Sequence, residues 1–198
     1  FEVRYSGATT SIASLPGMQE RTVILYTFSK KYAMTGWRLG AAIGPRAVVQ
    51  AIARLNTNDE SCTTHFIQYA GVEALRGDQS TARANVEILR ERRDATVEIL
   101  QQIDGLVVHK PESTFYLFPN VTGVMARLGF TTVAAFAEAA LKNTGVSFCT
   151  RMHFGRPIAG ETGHYIRFAY SGIDTSDIHE GLTRFSQWIE STAKGAAA

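Results

Sequence analysis

Residues 27–40 hold a lysine and an arginine whose spacing points to chemistry on carbonyl and phosphate groups. Lys30 follows the β-favouring apolar run of residues 23–28, and Arg38 lies further along the chain between two glycines. A lysine at the exit of a buried strand is expected to be partly desolvated, and such an amine attacks carbonyls and forms Schiff bases. The planar guanidinium of Arg38 is suited to binding a phosphate.

Two hydroxyl residues and two glycines complete this segment. Thr27 and Ser29 offer hydroxyl donors on alternate residues, and Gly36 and Gly40 allow the backbone to approach a ligand closely. A Schiff-base-forming amine beside a phosphate clamp is the combination that pyridoxal phosphate requires. The segment therefore predicts a site for this cofactor, with the lysine as its point of attachment.

The elements that position these residues are indicated by the pattern of apolar side chains. In the first half of the chain the pattern predicts strands at residues 23–28 and 39–43 and helices at 46–55, 64–75 and 81–103. In the second half it predicts strands at residues 107–109, 115–119, 146–149 and 165–170 and helices at 131–143 and 176–191. The final residues, 194–198, show no packing pattern and are expected to form a tail.

The order of these elements predicts two domains. Strands interleaved with helices in the second half indicate an α+β unit with its own small sheet. We therefore expect the domains to comprise residues 1–90 and residues 91–198, with the long helix at 81–103 as the seam between them.

Composition and charge exclude several classes of protein. Hydrophobic residues make up 45% of the 198 residues and charged residues 19%, values typical of a soluble globular protein rather than a disordered one. The formal charge of +2 gives no electrostatic reason to expect nucleic acid or an anionic membrane as a partner. No apolar run is long enough for a transmembrane helix, and the first residues do not resemble a signal peptide.

The cysteines and histidines indicate neither a disulfide framework nor a metal site. The two cysteines, Cys62 and Cys149, are too few for such a framework, so a reducing compartment, the cytoplasm, is expected. The five histidines are scattered without the spacing of metal ligands, and no metal is expected.

The segment from Thr27 to Gly40 resembles the S-x-S-K-x-x-x-x-x-G-x-R-x-G signature of class I/II aminotransferases, the fold type I enzymes that use pyridoxal phosphate. Three later segments, residues 66–75, 115–119 and 165–170, are also similar to segments of this family, so the resemblance covers nearly the whole chain. The last of them is similar to the family segment that bears the arginine for the substrate carboxylate.

The resemblance implies a role for each matching residue. Lys30 would hold the cofactor as a Schiff base and then shuttle the α-proton of the substrate. Arg38 would bind the cofactor phosphate with help from Thr27 and Ser29. Arg167 would form a bidentate pair with the substrate α-carboxylate. Lys31 is the rival of Lys30, and the spacing to Arg38 and Thr27 favours Lys30.

The resemblance also implies a fold and an activity. The expected fold is α/β: the C-terminal part of a three-layer α/β/α large domain, followed by a small α+β domain. The implied reaction moves an amino group between an amino acid and a 2-oxo acid in a homodimer. The family is roughly twice this length by resemblance, and the chain lacks an initiator Met, so we expect it to begin inside a longer protein and to be inactive alone.

Three alternatives remain open at the level of sequence. A lyase of the same fold, such as a β C–S lyase, would use the same Lys30 and Arg38 to eliminate a β-substituent. A transcription regulator would use an aminotransferase-like domain as its ligand sensor. The chain could also be a separately folded, inactive domain. The sequence Cys149-Thr150-Arg151 stands where many relatives carry a Pro-Gly turn, which leaves substrate preference open.

Overall fold

A computed structural model describes residues 3–196 of the chain. The chain divides into two compact units, of which the first ends at Val86 and the second begins at Glu87. The assignment of residues 1–90 and 91–198 to two domains of the family stays a prediction.

The first unit contains a two-stranded antiparallel sheet. Strand β1 (Ile24–Thr27) pairs with strand β2 (Gly40–Ile43) in a register that places Thr27 opposite Gly40. Helices α1 (Arg46–Asp59) and α2 (His65–Arg76) follow. The predicted strands and helices of this region are confirmed, with shifts of a few residues at their ends.

The long helix α3 runs from Ser80 to Gln101 and spans the junction between the units. It ends two residues before the predicted boundary because the chain tightens there: the N–H of Ile103 donates to the carbonyl of Leu100, and the N–H of Leu106 donates to that of Ile103. Leu100 and Ile103 are fully buried, so this turn is anchored in the core of the second unit.

The second unit contains a three-stranded antiparallel sheet. Its strands are β3 (Tyr116–Leu117), β4 (Cys149–Thr150) and β5 (Ile166–Ala169), in the spatial order β3-β5-β4. Its helices, besides the end of α3, are α4 (Thr122–Leu128), α5 (Val133–Thr144) and α6 (Thr175–Ala196). The central strand β5 alternates between buried and less buried side chains, so one face of the sheet lies against the core.

Sequence reasoning was wrong at four places in this unit. Residues 107–109 form only an isolated bridge between Val107 and Asn120 rather than a strand. Strand β4 begins at Cys149, because Gly145 ends α5 in the left-handed conformation and the N–H of Val146 bonds to the Thr144 hydroxyl instead of a neighbouring strand. Two further errors concern helices.

Helix α4 was missed, and the predicted tail is wrong over residues 194–196. The Asn120 side chain accepts hydrogen bonds from the N–H and hydroxyl of Thr122, which begins α4. Helix α6 continues through Ala196, and the last two residues of the predicted tail lie outside the described residues.

An aromatic cluster forms the centre of the second unit. Phe136 of α5 and Phe185 of α6 are fully buried and in edge-on contact, with ring centroids 6.2 Å apart. The other members are Phe130, Phe148, Phe168 and Trp188. Since Phe168 comes from the inner face of β5, the cluster attaches both helices to the sheet.

Within the part of the chain that the structure describes, no group of three or more His, Cys, Asp or Glu side chains is placed to hold a metal ion. Among the same residues, no single helix has both the length and the apolarity needed to cross a membrane. The bent pair of α4 and α5, at 74° to each other, meets that requirement by length and composition only.

We expect Phe136→Ala to lower the free energy of unfolding by about 3–5 kcal/mol, because it removes a fully buried ring from the aromatic cluster. The matched control is Leu141→Ala on the same helix, whose side chain is 51% exposed, with an expected loss of less than about 1 kcal/mol. Urea unfolding of both variants measures the difference. Equal losses of unfolding free energy in the two variants would show that the aromatic cluster does not stabilise the core.

Candidate active site

Four of the five predicted site residues lie at or beside the loop that joins β1 to β2. The loop, residues 28–39, is closed at its base by a hydrogen bond of 3.3 Å from the Phe28 N–H to the Leu39 carbonyl, which extends the strand ladder. Thr27 is the last residue of β1, and Ser29, Lys30 and Arg38 lie on the loop itself. The pairing of the two strands thus holds both ends of the loop together.

Helix α2 supports this loop from one side. Phe28 is buried, and its ring contacts Tyr26 with centroids 5.1 Å apart. A Cβ added at Gly71 of α2 would lie 2.5 Å from Leu39 Cδ2 and 3.6 Å from the Phe28 ring. The helix therefore approaches the loop at a point that has room for glycine only, unless the Leu39 side chain moves.

Hydrogen bonds connect the two arms of the loop through Thr35. The Thr35 hydroxyl donates to the Ser29 carbonyl at 3.1 Å, and Arg38 Nη1 donates to the Thr35 carbonyl at 3.0 Å. The Ser29 N–H in turn donates to Thr27 Oγ1 at 3.2 Å. These bonds bring Thr27, Ser29 and Arg38 into one connected group.

The two neighbouring lysines have different surroundings. Lys31 Nζ lies 5.0 Å from the centroid of the Tyr32 ring, in a cation–π contact. Tyr32 is fixed in turn by a hydrogen bond of 3.4 Å from its hydroxyl to Gln79 Oε1. Lys30 is exposed, so the expected desolvation is not provided by the described residues of this chain. Lys30 is therefore the more exposed of the two lysines.

The backbone at Arg38 is strained. Its φ of 55° and ψ of 44° are left-handed, which is uncommon for a residue other than glycine and costs on the order of 1 kcal/mol or more. A Cβ at Gly40 would lie 3.0 Å from the Tyr26 carbonyl oxygen, in agreement with the expected close approach of backbone. Gly36 has no atom within 4 Å of that position, so the expectation is not met there.

Arg167 lies on the outer face of β5, within cation–π distance of two aromatic rings. Its guanidinium carbon is 4.3 Å from the centroid of Tyr116 and 4.6 Å from that of Phe154. Arg167 Nη2 donates to Cys149 Sγ at 3.7 Å. Its Nε is buried and has no hydrogen-bond partner among the described residues.

The structure therefore places four predicted residues at or beside one loop and Arg167 in the other unit. Sequence reasoning did not predict four residues that contact the predicted ones, namely Thr35, Tyr116, Cys149 and Phe154. Because side chains alternate between the two faces of a strand, the sequence of β3 and β5 could have placed Tyr116 on the same sheet face as Arg167. The position of Phe154 depends on the turn after β4, for which the sequence has no comparable signal.

The model of the family described as aminotransferase class I and II matches residues 3–185. The chain belongs to this family. An asparagine–oxo-acid transaminase of Streptococcus mutans is 34% identical over 189 residues, which cover 94% of this chain and 46% of that protein. An aspartate aminotransferase of Musicola paradisiaca is 34% identical over 198 residues, covering 96% of this chain and 48% of that protein.

Solved aminotransferase structures share the fold. The crystal structure of the aspartate aminotransferase from Rhizobium meliloti matches with a TM-score of 0.84 at 31% identity, covering 95% of this chain and 47% of that chain. The aromatic aminotransferase from Pyrococcus horikoshii matches with a TM-score of 0.83 at 30% identity, covering 96% and 48%. The mixed α/β class is thereby confirmed. The chain spans about half the length of the aminotransferases it matches.

We expect Thr35→Val to loosen the loop of residues 28–39, because it removes the hydroxyl that bonds to the Ser29 carbonyl but keeps the shape of the side chain. One such bond contributes about 1 kcal/mol, so amide exchange in the loop should become roughly fivefold faster by hydrogen–deuterium exchange mass spectrometry. The control is Thr57→Val, whose hydroxyl bonds only within α1. Unchanged exchange in Thr35→Val would show that the loop does not depend on this bond.

Proposed function

We propose that the natural protein containing this chain is a pyridoxal-phosphate-dependent aminotransferase that moves an amino group between an amino acid and a 2-oxo acid. The observation that carries the proposal is the hydrogen-bonded loop of an aminotransferase-family chain, which bears the exposed Lys30 together with Ser29 and Arg38 and begins next to Thr27. The relatives named as transaminases of asparagine and aspartate support these substrate classes.

The donors present on the loop fit this cofactor. Thr27 Oγ1 accepts the Ser29 N–H, which leaves its own O–H to donate to a phosphate. Arg38 uses Nη1 for the Thr35 carbonyl, and its guanidinium has further N–H groups for a phosphate. When bound, pyridoxal phosphate supplies an electron sink that stabilises negative charge at the substrate α-carbon.

In the proposed reaction each residue has a distinct task. Lys30 Nζ would hold the cofactor covalently and, once free, would take the proton from the substrate α-carbon and deliver it to the cofactor carbon to which the lysine had been attached, which completes a 1,3-shift of the proton. Arg38, Thr27 and Ser29 hold the phosphate. Arg167 binds the substrate α-carboxylate through two parallel hydrogen bonds.

A homodimer and a cytoplasmic location form part of the same proposal. The first unit exposes large apolar side chains, namely Leu25, Leu55, Phe66 and Tyr69 at 80%, 70%, 69% and 66%. Exposed apolar surface of this kind supports packing against another polypeptide. Cys62 and Cys149 are both free thiols, which is compatible with a reducing compartment.

We expect borohydride reduction of the natural protein with pyridoxal phosphate to fix the cofactor on Lys30, since this amine is exposed whereas the Lys31 amine contacts Tyr32. Peptide mapping by mass spectrometry identifies the modified lysine. Lys30→Ala should abolish both the fixation and the formation of 2-oxo acid, and Lys31→Ala should retain both. Fixation on Lys31 would contradict the assignment, and release of a β-substituent without amino transfer would indicate a lyase.

We expect Arg167→Lys to cost about 2–4 kcal/mol of transition-state stabilisation, because lysine cannot reproduce the planar pair of hydrogen bonds to a carboxylate. The loss should appear in kcat/KM for amino acids, whereas the affinity for pyridoxal phosphate should stay within about twofold. An unchanged kcat/KM for every amino acid tested would show that Arg167 does not bind the carboxylate.

A further inference from the structure

We propose that Tyr116 and Phe154 are positioning residues that fix the plane of the Arg167 guanidinium for the substrate carboxylate. This inference rests on the proposed function of Arg167. It assigns a role to two aromatic side chains outside the cofactor loop, both in contact with an arginine whose buried Nε has no hydrogen-bond partner among the described residues.

The strand register places Tyr116 beside Arg167. Tyr116 of β3 pairs with Ala169, two residues along β5 from Arg167, so both side chains point to the outer face of the sheet. Such diagonal neighbours lie within reach of aromatic and long side chains. Cys149 of β4 pairs directly with Arg167 on the other side of the strand. The sheet thus supplies the Tyr116 ring on one side of Arg167 and the Cys149 contact on the neighbouring strand.

The second ring is supplied by the turn that follows β4. Phe154 ends a short 3-10 helix, Arg151–Phe154, whose start is fixed by reciprocal hydrogen bonds between Thr150 and His153. The Phe118 ring meets Phe154 edge-on, with centroids 6.0 Å apart. The turn therefore places Phe154 as a second ring within cation–π distance of Arg167.

Arg151 holds the chain beyond Phe154. Its Nη1 donates to the Gly155 carbonyl at 3.0 Å and its Nη2 to the Arg156 carbonyl at 3.1 Å. Its Nε lies 2.8 Å from Glu161 Oε1, and both side chains are largely covered, at 18% and 20% exposure. These side-chain bonds of Arg151 hold the segment of residues 155–161 to the turn that carries Phe154.

The N–H groups of a guanidinium lie in its plane, so rings that contact its face leave them free to donate hydrogen bonds. A carboxylate pairs with arginine in that plane through two parallel bonds. The rings add cation–π attraction and exclude water, and they reduce the rotamer freedom that binding would otherwise have to remove. Removal of either ring should therefore weaken carboxylate binding even though neither ring touches the carboxylate.

The test uses the natural protein with Tyr116→Leu and Phe154→Leu, and with the ring-preserving variants Tyr116→Phe and Phe154→Tyr. Phe130→Leu is the stability control, since Phe130 packs in the aromatic cluster and not on Arg167. Ligand-observed NMR titration gives the Kd of propanoate, with uncharged propanamide as the comparison ligand. Steady-state kinetics with amino acids gives KM and kcat separately.

Each ring-removing variant should weaken propanoate binding by about 2- to 30-fold, which corresponds to the loss of one cation–π contact, and leave propanamide unaffected. KM should rise by a similar factor with kcat within about twofold, and the ring-preserving variants and Phe130→Leu should match the wild type. Wild-type Kd and KM in both leucine variants, or equal losses in Phe130→Leu, would overturn the proposal. If ring removal weakens propanoate binding in a protein that transfers no amino group, the positioning role stands and the proposed function fails.

Discussion

The register of antiparallel strands is the constraint on which the loop of residues 28–39 in one unit and the orientation of Arg167 in the other both depend. Because side chains alternate between the faces of a sheet, a shift of one residue would exchange every inward and outward side chain. In β5 the observed register sends Ile166 and Phe168 into the core and leaves Arg167 on the outer face. In the first unit, the pairing of Thr27 with Gly40 closes the loop that carries Lys30.

Each unit then stabilises its functional segment in a different way. The loop between β1 and β2 has few buried residues, and its shape comes from hydrogen bonds through Thr35 and from contact with the glycine of α2. Arg167 instead lies on a strand whose other face packs on a dense aromatic cluster. A rigid strand holds an arginine in place, while a connected loop presents an amine to a ligand.

The sequence was informative wherever function depends on local spacing, and less so where it depends on tertiary contacts. The distances along the chain between Thr27, Lys30 and Arg38 predicted a group that the structure places at the end of β1 and on the loop that follows it. Phe154 could not be predicted in this way, because its position over Arg167 follows from side-chain bonds of Arg151 to a later stretch of chain. The strand predicted at residues 146–149 was wrong for a related reason: the Val146 N–H donates to the Thr144 hydroxyl and is not available for pairing with a neighbouring strand.

The ion pair of Arg151 and Glu161 has a consequence for how the second unit responds to ionic strength. Mobile ions screen exposed charges over about 10 Å at 0.1 M salt, but they screen a covered pair much less. With side-chain exposures of 18% and 20%, this pair loses less of its attraction as salt increases than a fully exposed pair does. The turn that carries Phe154 should therefore retain its shape as the salt concentration rises. Over the same range, the long-range attraction between the protein and a free carboxylate becomes weaker.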